Sequence, residues 1–136
     1  MSKHDILYAL ARAMFSATFV ISAIRHSCDR GAALDEMSAG GMPRSNTLLL
    51  GSIMLRLLGG LSVLLGFHAR IGGLLLVVFI LPATFIVHAF WEKPPEKRVH
   101  ELTELLNNVA ITAGALFIVV SGSGGVSLDA LLQSTK

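Results

Sequence analysis

Four long apolar runs, at 6–27, 47–67, 71–91 and 102–121, constrain this chain more than any other feature of it. Each is near the ~20 residues that a helix needs to cross about 30 Å of hydrocarbon. Within lipid every backbone N–H and C=O must find a partner inside the protein, so only helices and closed barrels span. A barrel strand alternates apolar and polar residues, and Leu74-Leu75-Leu76-Val77-Val78-Phe79-Ile80-Leu81 shows no alternation. The expected fold class is therefore all-α. It is a single domain over 1–136, an antiparallel bundle of four transmembrane helices in a lipid bilayer. Composition agrees, since 15% of residues are charged against about 25% in a soluble domain. Mean hydropathy is +0.68.

The breaks between the runs shape the bundle. The stretch 28–46 carries Asp29, Arg30, Asp35, Glu36 and Arg44, with Gly40, Gly41 and Pro43 as turn formers; 32–37 reads as a short interfacial helical turn. His68-Ala69-Arg70 is so short that the second and third spans must form a tight antiparallel hairpin. Pro94-Pro95 closes the third span, and Pro82 is expected to kink it. Gly122-Ser123-Gly124-Gly125 ends the fourth, leaving 126–132 as a short interfacial C-terminal segment. Ala9, Ala13 and Ala17, Gly59-Gly60, Gly72-Gly73, and Ala110 with Gly114 supply the small residues that let helix backbones approach in lipid. Tyr8 and Trp91 sit near span ends, as interfacial anchors do.

Several classes of function fall away. A net charge of +2 gives no basis for nucleic-acid binding. Cys28 is the single cysteine, so no internal disulfide forms. No two histidines stand at i, i+4, and no metal site is expected. The glycines at 122–125 follow an apolar helix and precede no phosphate-binding helix, which removes the phosphate-loop reading. No haem axial pair stands at matching depths, and no covalently bound cofactor is expected. Removal of the N-terminus as a signal peptide is not expected, because Asp5 precedes the apolar run and no small-residue cleavage site follows. Four short spans without paired broken helices argue against a transporter. An even number of spans puts both termini and the His68–Arg70 turn on one side, marked by Lys3, Arg70 and Lys136. Arg25, Arg30, Arg44, Lys93, Lys97 and Arg98 mark the other, and orientation stays open because that side also holds most of the acids.

Ionisable residues inside the membrane are costly and point to function. Arg12 lies roughly 10 Å along the first span, and Arg56 lies near the middle of the second, positions that cost about 2.5–3.5 kcal/mol for an arginine at the bilayer centre. Each must face the interior, a partner subunit or the headgroups. They are candidate contacts for a partner carboxylate, an anion or a quinone carbonyl. A second candidate cluster gathers at the loop side. His88 lies one turn from the end of the third span, Glu104 and Asn108 stand one turn apart on the fourth, Arg25 and His26 end the first, and His100 and Glu101 stand at the foot of the fourth. A histidine beside a carboxylate passes protons readily, which suits a quinone head group.

The order of short motifs resembles that of the DoxX family of small four-helix membrane proteins, over nearly the whole chain. Gly59-Gly60-Leu61-Ser62-Val63-Leu64-Leu65-Gly66-Phe67-His68-Ala69-Arg70 is similar to the family's glycine pair, apolar run, glycine and turn arginine. Gly41-Met42-Pro43, His88-Ala89-Phe90-Trp91, Asn108-Val109-Ala110-Ile111 and Ser127-Leu128-Asp129 resemble further family motifs, and Arg12 resembles its helix-one arginine. Two departures stand out. The family's Ser-Gly-x-x-Lys is Ser22-Ala23-Ile24-Arg25 here, and Arg56 occupies the place of a helix-two glutamate. The resemblance implies a subunit of a prokaryotic inner-membrane oxidoreductase complex linked to the quinone pool, with quinone as its cofactor and other membrane subunits or further copies of itself as partners. The alternative is a non-catalytic structural or interaction subunit of a larger membrane complex.

Overall fold

The computed structural model describes residues 2–135, so Lys136, counted above among the cations, lies outside the described residues. Helix α1 (Lys3–Cys28) opens with a capping box. Asp5 N–H donates to Ser2 Oγ, and Ser2 N–H donates to the Asp5 carboxylate at 2.9 Å. Helix α2 (Arg30–Ala39) fills the first loop and is capped by Asp29. Helix α3 (Asn46–Leu65) is capped by Ser45 and ends at Gly66 in the left-handed region. There Phe67 N–H reaches back to Ser62 O at 3.0 Å, as a Schellman ending requires. His68 is also left-handed, at φ 49°. Helix α4 (Ala69–Val87) follows at once and contains Pro82. A 3₁₀ turn (Phe90–Glu92) leads to α5 (Pro95–Ser121), which starts with proline at its first turn. Helix α6 (Leu128–Ser134) is capped by Ser127.

Four of these helices are long and apolar enough to span a membrane, and there is no strand among the described residues. Their limits differ from the apolar runs in an instructive way. Helix α5 begins seven residues before the fourth run, because Pro95 and the polar turns after it are helical without being apolar. The third run stops at Val87 as helix, where His88 takes the cap position. The turn expected at 32–37 is a ten-residue helix.

The packing order is α1 on α3, α3 on α4 and α4 on α5. Glycine makes the central contact possible. A Cβ at Gly59 would stand 2.9 Å from the Gly72 carbonyl oxygen, and one at Gly72 would stand 2.9 Å from that of Gly59. The α3–α4 contact is thus backbone on backbone, as small residues allow in lipid. Phe19, Val63, Leu76, Val77, Ile80 and Ile118 form the main core. Ala23, Ala33, Leu49 and Ile53 form a second one under α2. Outside, Met14, Phe117 and Val120 are more than 70% exposed, the lipid-facing surface of a spanning bundle.

Candidate functional site

The buried residues of α1 are Arg12, Ser16, Phe19 and Ala23, one helical stripe. Arg12 therefore points inward, and it is 4% exposed. Its Nη1 donates to Ser123 O, and its Nη2 donates to Val126 O at 2.9 Å. The guanidinium lies 5.9 Å from the Tyr8 ring centre, and Tyr8 O–H donates to Gly122 O at 2.7 Å. Both side chains thus clamp the glycine-rich segment after α5. Gly66 completes the seat, since a Cβ there would stand 2.6 Å from Arg12 Nη1. The partner that sequence reasoning sought for Arg12 is a set of carbonyls from the far end of the chain, a kind of acceptor that no sequence pattern marks.

Asp129 holds the same segment from the other side. Its Oδ2 accepts from Ser123 Oγ at 2.6 Å and from His68 N–H at 3.0 Å. The Ser123 bond leads in holding its carboxyl below the usual carboxylate range, with the His68 amide and the nearby His68 and Arg12 charges acting in the same sense. A carboxyl whose folded pKa is depressed contributes stability that is full above its ordinary value of 3.8 and is lost as pH falls through the folded value. Protection of the amides of residues 123–130, taken relative to intrinsic exchange at each pH, is therefore expected to fall in acid below that value. In Asp129→Asn that protection should be low already at pH 7, with little further pH dependence.

The second buried arginine sits in a richer setting. Arg56 is 4% exposed and lies on the inward stripe of α3 with Leu49, Ile53, Gly60 and Val63. Its Nε donates to Ser52 O at 3.1 Å, Nη1 to Ser22 Oγ at 2.7 Å, and Nη2 to His26 Nδ1 at 2.9 Å and Ser52 Oγ at 3.2 Å. The Phe79 ring centre is 4.8 Å from the guanidinium carbon. An arginine has no acceptor, so His26 Nδ1 accepts from Arg56, while Nε2 lies between Arg25 Nη2 at 3.0 Å and Glu36 Oε2 at 3.2 Å. Glu36 also takes Arg25 Nη1 at 2.8 Å and Nη2 at 3.1 Å. The Arg25 bond leads in holding the Glu36 carboxyl below its usual range. A chain Arg56–His26–Glu36–Arg25 thus runs from mid-membrane to the loop surface. The sequence reading places His26 in the polar group at the loop side but does not single out Glu36. The signal was Ser22 and His26, one turn apart on α1 opposite Arg56, with Glu36 as an acid of the following loop.

His88 and its expected partners are arranged differently from the sequence reading. The carboxylate that meets His88 Nδ1, at 2.9 Å, is Glu101 and not Glu104. Both acids share one face of α5 with Asn108, but the early start of α5 at Pro95 brings its first turns up beside the end of α4, so the acid at the level of His88 is Glu101. Glu104 makes no side-chain hydrogen bond among the described residues. Arg25 does not join His88 either, because Glu36 holds it 60% exposed at the surface.

His88, Asn108, Arg56 and His26 nonetheless line one cleft of about 620 Å³ between all four spanning helices and α2. Its walls are mostly apolar, with Leu55, Val78, Phe79, Pro82 and Ile111 among them. The Asn108 amide makes no hydrogen bond to another described residue, and His88 Nε2 likewise faces no protein partner among them. Among the described residues no three His, Cys, Asp or Glu side chains converge as metal ligands. The cleft offers apolar volume with a few convergent polar groups, the general form of a small-molecule site.

Comparison with known proteins agrees with this architecture. The DoxX family profile matches residues 7–89, more than half of the chain. Inner membrane protein YqjF of Escherichia coli (strain K12) is 27% identical over 129 residues, 95% of this chain and 94% of that protein. Inner membrane protein YphA of the same organism is 21% identical over 124 residues, 91% of this chain and 89% of that one. The Surfeit locus protein 4 homolog of Schizosaccharomyces pombe is 30% identical over 69 residues, covering 49% of this chain and 23% of that protein. No solved structure matches. With four apolar spanning helices and near full-length similarity to inner membrane proteins, the chain is a multi-pass inner membrane protein and belongs to the DoxX family.

Proposed function

We propose that this chain is the quinone-binding membrane subunit of an oxidoreductase complex. The cleft is the observation that carries the reading. At about 620 Å³ it lies within the ~300–1,000 Å³ typical of a small-molecule site, and it is walled by apolar side chains at membrane depth. A quinone fits the donors present. The Asn108 amide suits one carbonyl oxygen, His88 Nε2 donates to the other when the ring is protonated, since Nδ1–H is given to Glu101, and the apolar walls suit a ring and prenyl tail. When bound, a quinone supplies reversible two-electron, two-proton chemistry. The chain's own contribution is to orient the head group, exclude water and hold a proton at His88, where Glu101 anchors Nδ1 and leaves Nε2 facing the ligand. No nucleotide or flavin motif occurs in the sequence, so the electron-transferring groups are assigned to a partner subunit.

Protein purified from membranes in mild detergent is expected to carry extractable quinone near one per chain. His88→Ala and Asn108→Leu should each lower that content at least fivefold without loss of helicity. Quinone-free wild type, or content unchanged in both variants, contradicts the reading. A wild type that brings down partner subunits without quinone would favour the interaction-subunit alternative.

A further inference from the structure

Nothing in its immediate surroundings balances the charge on Arg56. The acceptors it meets are Ser52 O, Ser52 Oγ, Ser22 Oγ and His26 Nδ1, and all are neutral. The carboxylate on its network, Glu36, is reached only through His26 and already takes two bonds from Arg25. Arg25 and Glu36 cancel each other, so the group as a whole keeps one positive charge. His88, the other titratable group of the cleft wall, is paired with Glu101. A guanidinium has five N–H bonds, and four are used here. The fifth, on Nη1, has no acceptor among the described residues. A buried cation beside an apolar cleft, with a donor to spare, calls for a lipid-soluble anion.

We propose that Arg56 is the head-group site for a single-chain lipid carboxylate, whose alkyl chain lies along Leu55, Val78, Phe79, Pro82 and Ile111. One net positive charge and one spare donor match a monoanionic carboxylate better than a dianionic phosphate with three acceptor oxygens. A cleft of about 620 Å³ holds one chain and not the two of a phospholipid. The assignment does not rest on the quinone reading, because the charge on Arg56 is unbalanced whichever neutral head group the His88 end receives. If both ligands bind, they compete for the same apolar wall.

The test uses the full chain in nanodiscs of zwitterionic phosphatidylcholine at pH 8, with radiolabelled oleate, octanoate, oleyl alcohol and oleoyl lysophosphatidate as probes. Oleate should bind at least tenfold more tightly than the alcohol. Arg56→Gln should abolish that preference, and Arg56→Lys should keep part of it. Gly51→Leu provides a variant with every charge in place. Gly51 lines the cleft and a Cβ there meets nothing within 4 Å, so leucine fills space without disturbing the helices. It should weaken oleate at least fivefold while sparing octanoate. Equal binding of oleate and alcohol by the wild type, an unchanged preference in Arg56→Gln, or unchanged oleate affinity in Gly51→Leu each overturns the proposal. Tighter binding of lysophosphatidate than of oleate overturns the choice of carboxylate. Quinone content measured on the same preparations separates the two readings: quinone without oleate preference sinks only this inference, and oleate preference without quinone sinks only the redox one.

Discussion

Gly72→Leu is expected to disrupt the α3–α4 hairpin and to be the most damaging single substitution in the bundle. A Cβ at this position would stand 2.5 Å from Ser62 Oγ, 2.7 Å from Ser62 Cβ and 2.9 Å from the Gly59 carbonyl oxygen. None of these can step aside. The Gly59 oxygen belongs to the α3 backbone, and the Ser62 hydroxyl is held by Phe67 O at 2.6 Å and His68 O at 3.2 Å across the turn. The two helices must separate, which forfeits the contacts of Val63, Leu76 and Ile80 as well. Overpacking a fixed contact costs about 1–3 kcal/mol, and leucine should reach at least the upper end. Thermal denaturation in detergent, read by circular dichroism, should show the loss. Gly51→Ala is the matched control. It adds the same first carbon in open space on the other helix of the hairpin, α3, and the better helix propensity of alanine should leave stability unchanged or raised by up to about 1 kcal/mol.

The second large effect is expected at Arg12. Replacing it with methionine keeps much of the buried stem but removes both donors to the C-terminal segment. Hydrogen bonds from a charged group are worth about 1.5–3 kcal/mol each, and the orphaned carbonyls of Ser123 and Val126 add their own penalty. Loss of the buried charge offsets part of this. A net weakening of about 3 kcal/mol in the docking of residues 122–135 corresponds to roughly a hundredfold faster amide exchange there. The exchange of α3 and α4 should change far less, because their core does not include Arg12. Uniform acceleration across all four spanning helices would show instead that Arg12 supports the whole bundle.

These two expectations stand on features of very different legibility. Gly59 and Gly72 were readable as close-approach residues, because small side chains in apolar spans have few other uses in lipid. The four spans and the tight hairpin followed from hydropathy and loop length. The limits of α4 and α5 did not, since hydropathy marks where lipid lies and not where helix hydrogen bonding starts. Pro95 at the first turn of α5 was the better guide. That early start also decided which acid faces His88, a difference of three residues that spacing on α5 alone left open.

Burial of Arg12 and Arg56 was legible from the cost of charge in lipid, but their partners were not. Arg12 is answered by loop carbonyls more than a hundred residues away, and backbone acceptors carry no sequence signature. Arg56 stands where the family resemblance places a carboxylate, and the acid of its network comes from α2 through His26. Sequence showed the missing glutamate. The fold showed where its replacement lies.

Photolabelling of intact membranes with a prenylated azidoquinone tests the central claim most directly, because it asks where a lipid-soluble ligand sits without depending on any variant folding. Label is predicted in the peptides of α3 and α4 that line the cleft, around 48–56 and 78–88, and excess unmodified quinone should suppress it. Label spread over the lipid-facing surface at Met14, Phe117 and Val120, or insensitive to competing quinone, would contradict the assignment of the cleft as the ligand site.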